Sequence, residues 1–292
     1  MTARKGMLWK TPWRRRTGGL VNQPPVEMWF FDLSGAVSPA TDSWEFISPA
    51  AVPTFAAGPG PFWLGLVCRV TDVPNPTVGA TEQGFLRQFS SPPSAGVFLR
   101  VTANRTTTYA PGDTENADVT ATSVGFFGLV RSFLPRPGLG GQGVLLNYDW
   151  SCVTVALVQI TPQGGTTLLD AWLDNVYLGQ QSHATAYAPA NTSIRLGGGR
   201  YTVNGPTLHG AVGGTGLLTA SQVETWFQQV KSGAQIVGIP GQTTDLWSAA
   251  AVQPLVPNPL PNLAGGQNLN LTAFGTPIGP PSNVLVPVSF NY

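Results

Sequence analysis

Only one stretch of this 292-residue chain, residues 218–230, spaces its apolar side chains as a helix would. There Val223, Trp226, Phe227 and Val230 recur at i, i+3, i+4 and i+7. Thr219 stands where a cap belongs, with Gln222 three residues on as in a capping box, and Gly233 follows as a stop. Everywhere else the apolar residues come in short runs, rich in Val, Thr, Phe and Trp, separated by Gly, Pro and Asn. That pattern belongs to strands and turns. Only 10% of the residues are charged, against 35 Gly and 27 Pro, so a coiled coil or helical bundle is excluded. A hydrophobic share of 42% excludes a charge-driven disordered chain.

The strand signals fall at residues 26–33, 62–70, 84–89, 96–103, 119–130, 144–160, 167–173, 176–179, 193–196 and 208–217. The run FWLGLVCRV is apolar throughout, as in a strand buried on both faces, whereas SCVTVALVQI alternates. Asp174-Asn175 sits between two such runs and predicts a two-residue hairpin turn. The organisation expected is a basic, Trp-containing arm (1–25), one β-sandwich (26–230) and a Pro/Asn/Gly-rich extension (231–292) packed on the sandwich or on a neighbour.

Four segments in fixed order resemble the concanavalin A-like jelly roll in its laminin-G-like and pentraxin-like form. They are PFWLGLVCRV, DWSCVTVALVQI, LLDAWLDNVYLGQ, and SIRLGGG followed by LHGAVGGTGLLTASQVETWFQ. The last is the most specific, because strand, Leu-Thr cap and short helix follow one another. The resemblance implies an all-β fold of two antiparallel sheets with one short helix and extended terminal arms. It also implies that Cys68 and Cys152 lie on neighbouring strands, opposite one another and within disulfide reach. Synthesis in a reducing compartment favours two buried thiols instead. The family's acidic position is taken here by Gly213 and Gly214.

Catalytic and metal chemistry find little support. Calcium needs six to eight oxygen ligands. The one dense acidic patch, Asp113, Glu115, Asn116 and Asp118, lacks the spacing of a calcium loop and reads as a solvated loop. Asp170 and Asp174 share a strand phase, but Asp174 falls in the predicted turn, so a structural role is expected rather than a glycosidase pair. Two histidines, His183 in a polar loop and His209 at the start of a strand as a packed or edge residue, supply neither a triad nor a zinc site. No catalytic residue, cofactor or metal is expected, and a glycan-processing enzyme is the disfavoured third reading.

Six of the 15 basic residues lie in the first 16 positions: Arg4, Lys5, Lys10, Arg14, Arg15 and Arg16, interleaved with Trp9 and Trp13. The rest of the chain carries nine basic residues against 14 acidic ones, so a basic nucleic-acid face is not expected. Trp and Arg anchor protein interfaces, and the arm reads first as an assembly interface, with a solvated tail or a nucleic-acid or membrane contact as alternatives. No apolar stretch of signal-peptide length follows the basic start, and none reaches the length of a membrane span. These features point first to a non-enzymatic structural protein of a multi-subunit particle, such as a phage or virus-like surface component. It would be made in the cytoplasm without a signal peptide and bind other copies of itself or other subunits. The alternative is a carbohydrate-binding module, with Tyr109, Tyr187, Asn191, Tyr201 and Asn204 as candidate glycan contacts.

Overall fold

The structure is a computed structural model that describes residues 25–33, 43–49, 52, 60–69, 81–88, 97–103, 123–126, 152–183, 193–197, 206–250, 256–274, 276–277, 279–290 and 292. Fourteen strands and one helix are found among them. In chain order these are β1 (Val26–Asp32), β2 (Ser43–Ile47), β3 (Phe62–Arg69), β4 (Thr81–Gln88), β5 (Val97–Ala103), β6 (Ser123–Phe126), β7 (Cys152–Gln163), β8 (Thr166–Leu173), β9 (Val176–His183), β10 (Ile194–Leu196) and β11 (Pro206–Thr215). Helix α1 (Ala220–Gly233) follows, then β12 (Thr243–Ala249), β13 (Asn270–Phe274) and β14 (Ser282–Phe290).

The strands form an eight-stranded and a six-stranded sheet. The larger departs from the expected pair of open antiparallel sheets in two ways. Its strands β11, β3, β7, β14 and β1 pair in a closed ring, which leaves none of the five as an edge. One of those pairings, β14 with β7, is parallel. Strands β12 and β8–β9 flank the ring. The smaller sheet runs β13-β2-β10-β4-β5-β6.

β3 is buried along its length until Arg69, because both of its faces are covered. Leu64, Leu66 and Cys68 enter a core shared with Phe46 of β2, Ile194 and Leu196 of β10, and Leu169, Ala171 and Leu173 of β8. Trp63 and Val67 enter a second core beneath the helix, with Val223, Trp226, Phe227 and Val230. The helix begins as the sequence predicts: the Thr219 side chain accepts from Gln222 N, and the Gln222 side chain accepts from Thr219 N. Its stop differs. Gly233 is the last helical residue, and Ala234 adopts the left-handed conformation at φ 47°, with its N–H turned back to the last carbonyls.

Two amides hold the ends of this arrangement. Buried Gln159 donates to Phe62 O (2.9 Å) and Gly216 O (3.1 Å) and accepts from Leu218 N (2.8 Å), tying β7 to the start of β3 and the entry to the helix. Asn262 accepts from Trp247 N (2.9 Å) and donates to Asp245 O (2.9 Å), so its side chain stands in for a neighbouring strand along β12.

The expected disulfide pairing is corrected by the register. β3 and β7 are antiparallel neighbours, but Cys68 faces Thr154 and Arg69 faces Val153, which leaves position 152 two residues out of step. Position 152 pairs with Ser289 of β14 instead. Cys68 is a free, buried thiol, and burial, with a smaller contribution from Asp174, raises its pKa well above the ordinary range.

Candidate functional site on the outer face of the β8–β9 hairpin

The arm residues Arg4, Lys5, Trp9, Lys10, Trp13, Arg14, Arg15 and Arg16 lie outside the described residues. So do the loop candidates Tyr109, Tyr187, Asn191, Tyr201 and Asn204, and the acidic segment 113–118. Among the described residues no group of three or more His, Cys, Asp or Glu side chains could hold a metal ion. No described helix is long and apolar enough to cross a membrane.

The described residues bring together a different set, on a strand face rather than in loops. Successive side chains of a strand point to opposite faces. In β8 the odd-numbered residues Leu169, Ala171 and Leu173 enter the core, and the even-numbered Leu168, Asp170 and Trp172 stay half-buried on the other face. β8 turns into β9 at Asp174-Asn175, both left-handed (φ 47° and 60°), as the sequence predicts for a tight hairpin. Asp174 turns inward: its backbone N–H donates to Val155 O and its Oδ1 accepts from Val155 N, each at 2.8 Å. This is the structural role expected of it, and it pins the hairpin to β7.

Three residues along, the hairpin bulges. Ala171 pairs with Gly179 and Trp172 with Tyr177, so position 178 is an extra residue on β9. Gly179 absorbs the distortion at φ 109°, a conformation that side-chain-bearing residues rarely adopt. The bulge changes the phase of β9, so that Tyr177 and Gln180, an odd and an even position, serve the same face. Tyr177 Oη donates to Asp170 Oδ1 at 2.5 Å, and Gln180 Nε2 donates to Asp170 Oδ2 at 3.0 Å. Burial, then the bond to Asp170 and its charge, raise the Tyr177 pKa well above the ordinary value, so the phenol remains a donor. The Trp172 and Tyr177 rings lie 5.3 Å apart at 41°. Exposed Gln180 and Ser182 continue the face toward the sheet edge.

The result is a half-buried Trp–Tyr pair, with Trp172 packed at the margin of the second core, beside a carboxylate whose orientation is fixed by two donors. A surface of this kind stacks against apolar faces and accepts hydrogen bonds alongside. A second polar feature sits on the smaller sheet. There Arg195 Nη1 donates to Glu45 Oε1 at 2.6 Å, with Glu45 buried, and Arg195 stands opposite Ile47 and Arg87 in the register.

No protein-family model and no curated protein matches the chain. Solved structures do. A protein from Bacteroides ovatus described as carbohydrate binding aligns over 92% of this chain with 9% identity and a TM-score of 0.53. This chain spans 63% of that protein's length. An alginate lyase aligns at 10% identity over 67% of this chain and 72% of its own, with a TM-score of 0.32. A heptameric pentraxin from Limulus polyphemus aligns at 8% identity over 86% of this chain and 95% of its own, also at 0.32. With the first of them the chain shares its fold.

Proposed function

We propose that this protein is a non-catalytic carbohydrate-binding protein and that the outer face of the β8–β9 hairpin is where it holds a glycan. One observation carries the reading: the Trp172–Tyr177 ring pair adjoins Asp170, whose two oxygens are each oriented by a donor. Sugar rings present an apolar face for stacking and hydroxyls at their rim, which is the chemistry this surface complements. The fold shared with a carbohydrate-binding protein supports the reading. Trp172→Ala is expected to weaken binding to any glycan recognised on a glycan array by tenfold or more, a loss of about 1.4 kcal/mol or more as for an interface anchor. Circular dichroism and melting confirm that the variant is folded, since the residue is half-buried. Undiminished binding by the folded variant would end this reading.

The basic arm favours a second reading, a structural component of a multi-subunit particle. Its Trp and Arg residues are those that anchor interfaces, and they crowd into 16 positions. Under this reading, removing residues 1–25 leaves a folded protein that no longer assembles. Sedimentation and electron microscopy of the full chain and the truncated form decide it, and particles of unchanged size from the truncated chain would overturn it.

A further inference from the structure

The charge of the hairpin face selects among glycans. From position 152 to 183 the sequence contains two carboxylates, Asp170 and Asp174, and no Lys or Arg. Asp174 is turned into the fold against Val155, so Asp170 is the charge that β8 and β9 themselves present to a ligand. Each Asp170 oxygen has accepted one hydrogen bond, from Tyr177 or from Gln180. A carboxylate has about four lone-pair sites, so among the described residues one site on each oxygen is left for a ligand. Two acceptor sites on one rigid carboxylate match two neighbouring hydroxyls of a sugar ring lying on Trp172. They do not match a uronate or sulfate group, which brings a second negative charge up to Asp170; the cation on the adjoining elements, Lys231, lies over the Tyr292 ring and bonds to Tyr292 O.

Resting on the carbohydrate-binding reading above, we infer that the ligand is a neutral hexopyranose chain and that Asp170 is the residue that excludes acidic glycans. Tyr177 and Gln180 are positioning residues here, since they act by fixing the carboxylate.

The test uses the full chain and matched probes: cellohexaose and mannohexaose, and the same chains oxidised at C6 to uronates, measured by titration calorimetry at low salt. At least one neutral chain is expected to bind at least tenfold tighter than its oxidised partner. Asp170→Asn removes the charge while keeping an oxygen acceptor. It is expected to weaken the neutral chain severalfold and to bring the two probes within about threefold of each other. Raised salt is expected to narrow the wild-type preference, because it screens exposed charges. Equal binding of neutral and oxidised chains by the wild type, lost in Trp172→Ala, would overturn the exclusion and leave the hairpin site standing. A preference that persists in Asp170→Asn would overturn the role of Asp170 alone. Binding that survives Trp172→Ala, or no binding of any of these probes, would overturn this inference, and the former would remove the hairpin site as well.

Discussion

Replacing Trp226 by alanine is expected to cost about 3–5 kcal/mol, the range for emptying a buried aromatic site. Trp226 is fully buried, and its indole Nε1 donates to Val237 O at 2.7 Å, so the loss combines a cavity with an orphaned carbonyl. Its ring lies 5.1 Å from Phe227 at 75°, an edge-to-face pair that also disappears. The seat for this ring is made on β3 by an absent side chain. A Cβ at Gly65 would come within 2.8 Å of Trp226 Cζ2 and of Val212 Cγ1. The melting temperature of Trp226→Ala is therefore expected to fall on the order of 10 °C, scaling a few degrees per kcal/mol for a chain of this size. Gly65→Ala is expected to destabilise the wild type and to be better tolerated in the Trp226→Ala background, where one of its two clashes is gone. A drop of under 3 °C for Trp226→Ala, or strictly additive effects of the pair, would contradict this packing.

That helix could be read from the sequence because three local signals agreed: a stripe of four apolar residues, a capping box and a stop region. The tight turn at Asp174-Asn175 was legible for the same reason, since few residue pairs accept two successive left-handed conformations. Strands β12 to β14 did not appear among the strand signals, and their residues explain why. β14 carries Pro287 at its centre, which argues against a strand. In the fold Pro287 lies opposite Glu27 of β1, and the second neighbour, β7, joins only at Ser289, so the missing N–H falls where β14 has one partner. β12 is bounded on one side not by a strand but by the Asn262 amide, an arrangement that has no periodicity to read. The ring closure and the parallel β14–β7 pair are likewise matters of long-range register.

The candidate site was half legible. Trp172 follows Ala171 in an alternating strand, and its phase places it on the face of the second core, where it packs half-buried at the margin. The loop aromatics Tyr109, Tyr187 and Tyr201, which the sequence offers as well, lie outside the described residues. What the sequence could not show is the bulge at position 178. By simple alternation Tyr177 and Gln180 belong to opposite faces, and only the extra residue and the left-handed Gly179 place both on Asp170.

The second large effect expected is a loss of stability in mild acid, set by His209. This side chain is buried between β1 and the segment after the helix. Its Nδ1 lies 2.6 Å from Trp29 O and its Nε2 lies 3.0 Å from Ile236 N. A carbonyl needs a donor and an N–H needs an acceptor, so the ring must be neutral with its proton on Nδ1. A second proton would turn Nε2 into a donor facing Ile236 N–H and place a charge in the core. Burial accordingly pushes the pKa down from 6.5 to about 4, partly opposed by the bond to Trp29. The unfolded chain takes up its proton near pH 6.5 while the folded one resists to about pH 4. The folded state is thus favoured fully above pH 6.5 and progressively less as the pH falls between those values. At about 1.4 kcal/mol per pH unit the loss reaches roughly 3 kcal/mol. His209→Gln keeps a donor and an acceptor but cannot titrate. Urea unfolding at pH 7.5 and pH 5.0 should show the stability difference between wild type and His209→Gln shrinking by roughly 2 kcal/mol at the lower pH. A difference that does not change with pH would mean that His209 accepts its second proton in the folded core as readily as in the open chain, which the Ile236 N–H forbids.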